Sequence, residues 1–435
     1  MLETSGPGAR KRVAVIGAGI SGLAAAHLLA PTHTVVLMEA APSLGGHART
    51  VLAGKRGDQP VDTGFIVFTR VNYPRLTALF EELDVPVAPS NMSFGASFGA
   101  GRFEYALASP AAIFAQRRNL VDPRFLRMLR DIMRFNARAP AAVRDADMTI
   151  ADLLRDLGTG SWFRDRYLLP FTGAIWSTPT QKVLDFPAET LVRFFRNHAL
   201  MSYTGQHQWY TVRGGSVEYV RRLSARLEAQ GVELRPACRV AAVTRRDDMV
   251  RIRPQGGDWE AFDEVVFATH ADDALALLTD PSPAEHAALS AIRFQPNEAV
   301  LHSDTALMPR RRRVWSSWVY SEDGNVQRPG IGLTYWMNSL QPIPKDDPLF
   351  VTLNSTRSIR DELVHDVTTF HHPVYDLAAL RAQQTLSDMN GTRNTWFCGA
   401  WMRNGFHEDG FASAADVVQA MAARADAPSA DMAAA

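Results

Sequence analysis

The stretch KRVAVIGAGISGLAAAHLLAPTHTVVLME, from Lys11 to Glu39, decides the fold of this chain. An apolar run leads into a turn with glycine at positions 17, 19 and 22, a helix of small residues follows, and a second apolar run ends in Glu39. A strand, a glycine turn, a helix, a second strand and an acid at this spacing are typical of a dinucleotide-binding βαβ unit. The stretch therefore predicts an α/β fold with a parallel sheet.

Each glycine of the turn has its own role in such a unit. We expect Gly17 to allow the tight turn, Gly19 to let backbone N–H groups approach a pyrophosphate, and Gly22 to let the helix pack close to the strand. The N-terminus of the helix favours negative charge at that point. Glu39 is predicted to accept hydrogen bonds from a ribose diol.

The run from Val13 to Ala30 also resembles a signal peptide or a membrane span, because it is nearly uncharged and follows three basic residues. The glycine spacing, Ser21, His27 and the immediate second strand favour a buried parallel unit instead. No other stretch is apolar for long enough to span a bilayer. We therefore expect a cytoplasmic protein without export or transmembrane segments.

The composition indicates a folded globular protein of two domains, with 435 residues, 46% hydrophobic and 21% charged. A formal net charge of zero gives no general attraction to nucleic acid, so we expect no nucleic-acid partner. The two cysteines, Cys238 and Cys398, suit neither a disulfide framework nor a metal site, and no metal is predicted.

A pair of adjacent glycines, Gly45 and Gly46, follows Glu39 by a few residues. Adjacent glycines bring the main chain against something bulky, which here favours FAD over NAD as the dinucleotide. A second glycine turn with strand context is not evident, so no NADPH site is predicted.

The order of motifs resembles the flavin-containing amine oxidase superfamily, which includes phytoene desaturases and protoporphyrinogen oxidases. The shared elements are the first glycine turn, the acid, the Gly45-Gly46 pair, Val212-Arg213-Gly214-Gly215, the strands Cys238–Val243 and Asp263–Thr269, and a late strand, loop and helix around Gly399 and Gly410. This resemblance spans nearly the whole chain.

The resemblance implies a Rossmann-like FAD-binding domain of the glutathione-reductase type and a discontinuous α+β substrate domain. The FAD-binding domain is expected to comprise residues 1–70, 205–275 and 390–425. The substrate domain is then formed by residues 71–204 and 276–389. Residues 426–435 are rich in alanine and are predicted to be a disordered tail.

The motifs also give the residues that we expect to bind FAD: Gly17, Gly19, Ile20, Ser21, Gly22, Glu39, Ala40, Gly45, Gly46, His47, Val240, Gly399, Gly410, Phe411 and Ala412. A valine at the position of Val240 lies against the adenine in this family. The chain departs from the family at His47, where arginine is common, and at Ala400, where an acid is frequent. The pyrophosphate and ribityl contacts are left open at those two positions.

The two insertions differ in pattern. The first is predicted to be helical, with a helix over Pro123–Arg138 that places four arginines on one face. The second is predicted to supply strands around Val314–Tyr320, Gly332–Trp336 and Leu349–Leu353, as a sheet under the substrate pocket.

The segment Gly405-Phe406-His407-Glu408-Asp409-Gly410 is the candidate for proton transfer. It precedes the last predicted helix, Asp416–Ala423, whose N-terminus is expected to face the flavin. His407 and Glu408 could each accept a proton as catalytic residues. The alternative is that His407 only bonds the loop while the two acids cap the helix.

Lysine is scarce, which bears on the substrate. Amine oxidases of this family typically place a lysine near flavin N5 in the second insertion, and Lys345 is the only lysine in that stretch. Its sequence context predicts a solvated loop, so the pattern favours a desaturase-like member. Without an NADPH site, dioxygen or an unknown acceptor is expected to take the electrons.

Arg310-Arg311-Arg312-Arg313, followed by Trp315 and Trp318, is a compact basic cluster with aromatics. Together with the arginine face of the 123–138 helix, it predicts peripheral contact with the inner face of a phospholipid membrane. A solvated loop and a solvated helix face are the alternative.

The chain resembles bacterial FAD-binding oxidoreductases that are related to the flavin domain of plant cyclopropane fatty acid synthases and to furan fatty acid desaturases. The segments that carry this resemblance include Phe186-Pro187-Ala188-Glu189-Thr190 and Ala268-Thr269-His270-Ala271-Asp272. This implies an oxidoreductase that desaturates or oxidises a fatty acyl chain, including a methyl-branched one. Two alternatives stay open: an amine or polyamine oxidase, and a flavin-bound partner of a lipid-modifying enzyme without turnover of its own.

Overall fold

The computed structural model of the protein describes residues 10–145, 147–176, 183–201, 205–246, 249–322, 332–355 and 357–426. In chain order its strands are β1 (Arg12–Ile16), β2 (Thr34–Met38), β3 (Thr50–Ala53), β4 (Gln59–Asp62), β5 (Phe68–Thr69), β6 (Val87–Ser90), β7 (Phe94–Phe98), β8 (Phe103–Ala106), β9 (Trp209–Val212), β10 (Glu233–Arg235), β11 (Val240–Arg246), β12 (Met249–Pro254), β13 (Glu260–Phe262), β14 (Glu264–Phe267), β15 (Phe294–His302), β16 (Trp318–Glu322), β17 (Leu333–Trp336), β18 (Phe350–Leu353), β19 (Val364–Pro373) and β20 (Thr395–Phe397).

The helices, in the same order, are α1 (Ile20–Leu29), α2 (Pro74–Glu82), α3 (Pro110–Ile113), α4 (Pro123–Ala142), α5 (Ile150–Leu157), α6 (Ser161–Phe163), α7 (Leu169–Trp176), α8 (Ala188–Asn197), α9 (Val217–Ala229), α10 (Ala271–Leu277), α11 (Pro283–Ala291), α12 (Met337–Leu340), α13 (Leu377–Met389) and α14 (His407–Asp426).

A five-stranded parallel sheet in the order β10-β2-β1-β14-β20 carries the predicted βαβ unit at its centre. Both β1 and β2 are buried along almost their whole length, as apolar runs in a covered parallel sheet should be. The strands come from all three segments that were predicted to form the FAD-binding domain. The predicted α/β fold class is therefore confirmed, while the exact domain limits stay a prediction.

The apolar segment after the first turn forms α1, which is buried on nearly every side between neighbouring elements. This burial explains its uniform hydrophobicity without a membrane. Among the described residues, no helix combines the length and the apolar character that crossing a lipid bilayer requires.

A seven-stranded mixed sheet in the order β19-β15-β18-β17-β16-β7-β8 forms the second large layer. Two of its strands, β7 and β8, come from the first insertion, which was predicted to be helical. Strands β17 and β18 lie where they were expected, but β16 begins at Trp318. The predicted start at Val314 is wrong because Arg312–Val314 form a 3-10 turn, closed by hydrogen bonds from Val314 N–H and Trp315 N–H.

The predicted arginine-bearing helix is α4, and it extends beyond the expected end. The carboxylate of Asp122 accepts a hydrogen bond from the Arg124 N–H, and Pro123 occupies the first helical position, so both start signals are present. The inner face packs into a core shared with the seven-stranded sheet and helices α5 to α8.

The two sheets are tied together next to the first turn. Arg49, three residues after the Gly45-Gly46 pair, forms a bidentate ion pair with Asp366 on β19, with distances of 2.7 and 3.0 Å. This pair fixes the edge strand of the large sheet against the turn. The predicted disordered tail falls almost entirely on residues 427–435, which lie outside the described residues.

Candidate functional site

The first glycine turn has the geometry that its sequence predicts. Gly17 adopts φ +97°, and a Cβ atom there would lie 2.9 Å from the Ala268 carbonyl oxygen on the neighbouring strand end. A Cβ atom on Gly22 would lie 1.8 Å from the carbonyl oxygen of Gly17, so only glycine permits this close packing of α1 on the turn. A Cβ atom on Gly19 would meet no atom within 4 Å and would project into open space.

The N-terminus of α1 faces this open space. Gly19 is the N-cap residue and supplies no side-chain hydrogen bond to the first turn, where Ile20 and Ser21 are both buried. N–H groups at an uncapped helix start form an anion site together with the helix dipole. A pyrophosphate is an anion that such a start can bind.

Glu39 lies at the end of β2, directly beside the turn. One carboxylate oxygen accepts a hydrogen bond from the Ala18 N–H at 2.7 Å, and the other accepts from the Ala41 N–H at 2.8 Å. The half-buried carboxylate is therefore held at the rim of the anion site, where a ribose would lie.

The Gly45-Gly46 pair closes on the first turn. The Gly45 N–H donates to the Ala18 carbonyl at 2.8 Å, and a Cβ atom on Gly46 would lie 3.0 Å from the α-carbon of Gly19. Both glycines have positive φ, +121° and +57°. The two glycine turns are thus in main-chain contact.

Ala40 and Val240 lie at the same end of β2. Ala40 follows Glu39 and is exposed, whereas Val240 starts β11, is buried and packs in one cluster with Met38. The backbone carbonyl of Glu39 accepts a hydrogen bond from the Cys238 N–H at 2.7 Å, which brings β11 to this place.

The late motif completes the site from the far end of the chain. Gly399 donates its N–H to the Ser413 hydroxyl at 2.9 Å. A Cβ atom on Gly410 would lie 2.8 Å from both Ile20 Cγ2 and Ser21 Oγ, so α14 packs directly on the start of α1. Phe411 and Ala412, the next residues of α14, are buried.

The last helix begins earlier than predicted, at His407 rather than at Asp416. The Asp409 carboxylate accepts a hydrogen bond from the Phe406 N–H at 2.9 Å, which is half of a capping box. Gly410 is tolerated inside the helix because its close approach to α1 leaves no room for a side chain. The predicted loop is therefore the first turn of α14.

His47 turns toward the large sheet. Its ring centroid lies 4.9 Å from that of Phe370, 5.6 Å from that of His372 and 6.2 Å from that of His270. Burial, reinforced by the neighbouring histidines, holds the pKa of His47 well below its usual value. A neutral imidazole therefore stands where the family commonly has an arginine.

Sequence reasoning missed this histidine cluster, which we define as His47, His270, His371 and His372. His270 stacks on Phe294 at 4.2 Å, and Nδ1 of His372 lies 2.8 Å from the Asn297 amide nitrogen. Burial lowers the pKa of His372 to about 4. Of its members the sequence singled out only His47; the adjacent histidines at positions 371 and 372 and the histidine three residues after β14 were the remaining signals.

His407 is held by two aromatic residues. Its Nε2 atom lies 2.9 Å from the Tyr219 hydroxyl, and its ring stacks on Phe65 with 3.8 Å between centroids. Burial lowers the pKa of His407 to about 3, so the ring is neutral. Its Nδ1 atom makes no hydrogen bond within the described residues, so the predicted proton acceptor has one free nitrogen.

Glu408 points away from His407, to the start of α2. Its two oxygens accept hydrogen bonds from the N–H groups of Arg75 and Leu76, at 3.1 and 3.0 Å. The carboxylate is buried and caps a helix whose own N-cap residue, Tyr73, supplies no side-chain bond. This is a capping role for another helix, which sequence reasoning did not foresee, and catalysis by Glu408 stays a prediction.

Tyr375 was also missed. Its hydroxyl is buried, has no hydrogen-bond partner in the described residues, and lies where a Cβ atom on Gly405 would be 2.7 Å away. A buried hydroxyl without a partner is costly unless a ligand or water satisfies it. It is a candidate ligand contact next to the segment that carries His407.

The residues around the two glycine turns fit an adenine dinucleotide with a second ring system. The open space beyond Gly19, the uncapped start of α1 and the rim carboxylate of Glu39 suit the pyrophosphate and ribose. Beside these turns, α14 packs on the start of α1. The histidine cluster also lies beside them, because His47 directly follows Gly46. FAD would be held by these elements and would supply redox chemistry.

Comparison with known proteins gives three findings. The model of the family described as flavin containing amine oxidoreductase matches residues 20–303. A hydroxyneurosporene desaturase from Rubrivivax gelatinosus is 26% identical over 329 residues, covering 65% of this chain and 58% of the desaturase. An L-amino acid oxidase from Cerastes cerastes is 46% identical over 58 residues, covering 13% of this chain and 11% of the oxidase. The chain thus spans less than two thirds of either relative.

A fatty acid isomerase from P. acnes that produces CLA has a similar fold, with a TM-score of 0.69 and 17% identity. The match covers 94% of this chain and 98% of that chain. At this identity the likeness concerns the fold alone. The family match confirms the superfamily resemblance and FAD as the cofactor, while the narrower resemblance to acyl-modifying enzymes stays a prediction. Because the matched region exceeds half of its length, the chain belongs to the flavin containing amine oxidoreductase family.

Proposed function

We propose that the protein oxidises a fatty acyl chain by removing two hydrogens from neighbouring carbons to leave a double bond. When bound, FAD supplies the two-electron acceptor that takes a hydride at N5. The second hydrogen leaves as a proton, so both C–H bonds break and one carbon–carbon π bond forms. The protein must orient the chain, exclude water and accept that proton.

The aromatic surroundings of His407 carry this proposal. Phe406, the preceding residue, stacks on Phe194 with 5.2 Å between centroids, and Phe194 stacks on His198 at 4.0 Å. His198 lies 6.4 Å from Trp209, which is itself only half-buried. An apolar wall of this kind suits an alkyl chain better than a polar substrate.

The charges near His407 argue against an ammonium substrate. The carboxylates of Glu408 and Asp409 each accept backbone N–H bonds, and burial raises both pKa values above their usual range. Neither carboxylate is therefore free to pair with a positively charged substrate. The lysines that the structure describes, at positions 11, 55 and 345, are all exposed, which agrees with the solvated loop predicted for Lys345.

His407 suits the proton-accepting step through its second nitrogen. If Nε2 carries the hydrogen and donates it to Tyr219, the lone pair is on Nδ1, the nitrogen without a partner. Tyr219 then acts as a positioning residue that sets the tautomer. Burial lowers the pKa of His407 to about 3, which keeps the ring neutral and its lone pair available, and makes it a weaker base than a free imidazole.

Two relatives support an apolar substrate. The desaturase shares 26% identity with this chain, and a fatty acid isomerase shares its fold. Both names concern hydrophobic substrates. Dioxygen is our proposed acceptor of the electrons, because the sequence has no second dinucleotide motif.

Oxidation of an amine is the second candidate, and the description of the family favours it. It predicts hydrogen peroxide release on addition of amines such as putrescine. Measuring flavin reduction and peroxide release with each substrate therefore separates the two candidates.

The test mixes purified FAD-loaded protein anaerobically with acyl phospholipid, free fatty acid or amine and follows the loss of flavin absorbance. We expect reduction by an acyl substrate and none by amines. Membrane lipids of cells with and without the gene should differ by acyl species shifted by two hydrogens in mass spectra. Reduction by amines together with unchanged lipids would overturn the acyl proposal.

The acceptor is tested in the same preparation. The reduced protein is mixed with air-saturated buffer, and the return of flavin absorbance is followed with peroxide release. Fast reoxidation supports dioxygen. Reoxidation slower than turnover by orders of magnitude would contradict it.

A further inference from the structure

We propose that the protein docks on an anionic phospholipid bilayer through one exposed surface, the outer side of residues 117–133. This docking face comprises the 3-10 turn Arg117–Leu120, the link to α4 and the first three turns of α4. The proposal does not depend on which substrate is oxidised, since it concerns where the protein resides.

The docking face exposes large apolar side chains. Leu120 is 53% exposed, Val121 79%, Leu126 42% and Met133 52%. These are four of the nine large hydrophobic side chains that are exposed in the described residues, and they lie within 14 positions of the sequence. A group of exposed apolar side chains marks a contact surface, whereas single ones are ordinary.

Helix geometry sets these side chains on one stripe. Leu126, Arg130 and Met133 are spaced i, i+4 and i+7 and therefore share a face of α4. The opposite face, with Met128 and Phe135, is buried in the core. The helix is thus apolar on its inner side, and Leu126 and Met133 form a second, smaller apolar stripe that is about half exposed.

Arginines surround the exposed apolar side chains. Arg117 and Arg118 are exposed and form no ion pair with described residues, while Arg124 pairs with Asp122. Arg127 and Arg130 share one buried acid, Asp131, at 3.9 and 3.4 Å. Five positive charges therefore face two negative ones, and the surplus favours an anionic partner. 

The basic cluster predicted at positions 310–313 lies next to this face. Glu104 on β8 is fully buried; its side chain accepts hydrogen bonds from the Arg310 N–H and the Arg311 guanidinium, both at 2.8 Å. Its backbone carbonyl accepts from the Asn119 side chain at 3.0 Å. One residue thus anchors both basic segments side by side.

The structure corrects the role of one arginine in that cluster. Arg311 is committed to the ion pair with Glu104, so four arginines do not act together. Arg312 is exposed and lies over the Trp315 ring at 3.7 Å. It lines, with Arg310 and Trp315, an open cavity of about 320 Å³, which is large enough for a phosphate headgroup.

Apolar side chains between arginines favour a bilayer over a nucleic acid. A lipid surface takes up both the charges and the alkyl groups, whereas a nucleic-acid backbone takes up only the charges. The formal net charge of zero also gives the rest of the molecule no general affinity for polyanions.

Sedimentation of the full-length, FAD-loaded protein with vesicles tests the proposal. Vesicles of phosphatidylglycerol and phosphatidylcholine should carry down the protein at low salt, and phosphatidylcholine alone should not. Reversal of charge in Arg117→Glu with Arg118→Glu should lower the partition coefficient about tenfold or more. Val121→Asp should lower it by several-fold while flavin absorbance and melting temperature stay unchanged.

Matched controls make the result specific. Arg246→Glu with Arg251→Glu changes two exposed arginines on the β11–β12 sheet, and Val71→Asp changes a valine that is 64% exposed. Both controls should bind like the wild type. Equal loss in the controls, or no binding of the wild type to anionic vesicles, would overturn the proposal. Binding to duplex DNA that the reversed arginines abolish, without vesicle binding, would assign the face to nucleic acid instead.

Discussion

The Nε2 atom of His407 lies 2.9 Å from the hydroxyl oxygen of Tyr219, although 188 positions separate the two residues. The contact joins the first turn of α14 to α9. Tyr219 is fully buried, and burial raises its pKa far above the usual range, so its hydroxyl keeps its proton. The pair therefore orients the imidazole without charging it.

Replacement of His407 by alanine should leave FAD bound and slow the reduction of the flavin by substrate. Loss of a positioned general base costs about 10²- to 10⁴-fold in rate. Stopped-flow absorbance under anaerobic conditions measures the rate, and the visible spectrum reports bound FAD. An unaltered rate would remove His407 from the mechanism.

Tyr219→Phe is the companion variant, because it keeps the packing and removes only the hydroxyl that contacts His407. We expect a smaller loss of rate than for the alanine variant and no change in FAD content. His33→Ala alters a half-buried histidine that the site does not contain and serves as the control.

Glu408→Gln should lower stability and leave the chemical rate nearly unchanged. One of the two N–H groups at the start of α2 would face an amide NH₂ instead of a carboxylate oxygen, at a cost of about 1–3 kcal/mol. Urea unfolding measures the change. A rate that falls as far as in His407→Ala would instead support the predicted catalytic role of Glu408.

The Asp62 carboxylate bonds to residues from distant parts of the chain. A second substitution is designed to restore the stability that is lost when Asp62 is replaced. Its carboxylate accepts hydrogen bonds from the Thr50 hydroxyl, from the N–H and hydroxyl of Ser216, and from the Gln341 amide at 2.9 Å. Burial outweighs these bonds and raises the pKa of Asp62 to about 6. In Asp62→Asn the new NH₂ faces the NH₂ of Gln341, at a cost of about 1–3 kcal/mol in the free energy of unfolding.

Gln341→Glu in the Asp62→Asn background should recover much of that loss. The new carboxylate accepts from the Asn NH₂ and from the backbone N–H of position 62, which Gln341 already binds at 2.9 Å. Urea unfolding of the single and double variants gives the coupling free energy. Purely additive losses of unfolding free energy would show that the contact between residues 62 and 341 contributes no coupling free energy.

Gly19→Ala should weaken FAD binding without destabilising the apoprotein. The residue has φ −70°, which alanine adopts freely, and the added methyl group points into the space beside the start of α1. Titration of apoprotein with FAD should give at least a tenfold higher Kd, with an unchanged melting temperature. Gly257→Ala, where the added methyl group would make only ordinary van der Waals contact with Pro254 at 3.6 Å, should change neither.

Acid should unfold the protein through its buried neutral histidines, and His302 is the clearest example. Its Nε2 contacts the Thr352 hydroxyl at 2.7 Å, its Nδ1 accepts the Asp304 N–H, and burial lowers its pKa to about 4. The unfolded chain binds its proton near pH 6.5. Between pH 6.5 and 4 the unfolded state therefore holds more protons, and stability falls as the pH is lowered.

The slope should approach about 1.4 kcal/mol per pH unit for each such histidine. His302→Gln should have a shallower fall of unfolding free energy between pH 6.5 and 4.5, measured in urea. A slope equal to that of the wild type would mean that His302 is protonated in the folded state.

The βαβ unit could be predicted from sequence because its determinants are local. Gly17, Gly22 and Glu39 act within one turn and two strands, and their spacing alone fixes the arrangement. The later motifs followed from the resemblance, since nothing in their own composition indicates that Gly410 packs on Ile20.

The histidine cluster could not be predicted in the same way. His47 and His372 are brought together only when β19 crosses the Gly45-Gly46 turn, and the Arg49–Asp366 ion pair that holds this crossing joins residues 317 positions apart. The capping of α2 by Glu408, over 333 positions, has the same origin. Local patterns cannot report partners that only the tertiary fold selects.

The order of the parallel sheet has a consequence for biosynthesis. β20 and α14 are translated long after α1, yet α14 covers the start of α1. Until α14 is translated, the nucleotide-binding cleft is incomplete and its apolar edges are exposed. Chaperones bind exposed apolar surface of this kind. We expect cofactor loading to wait until α14 has been translated and has packed on α1.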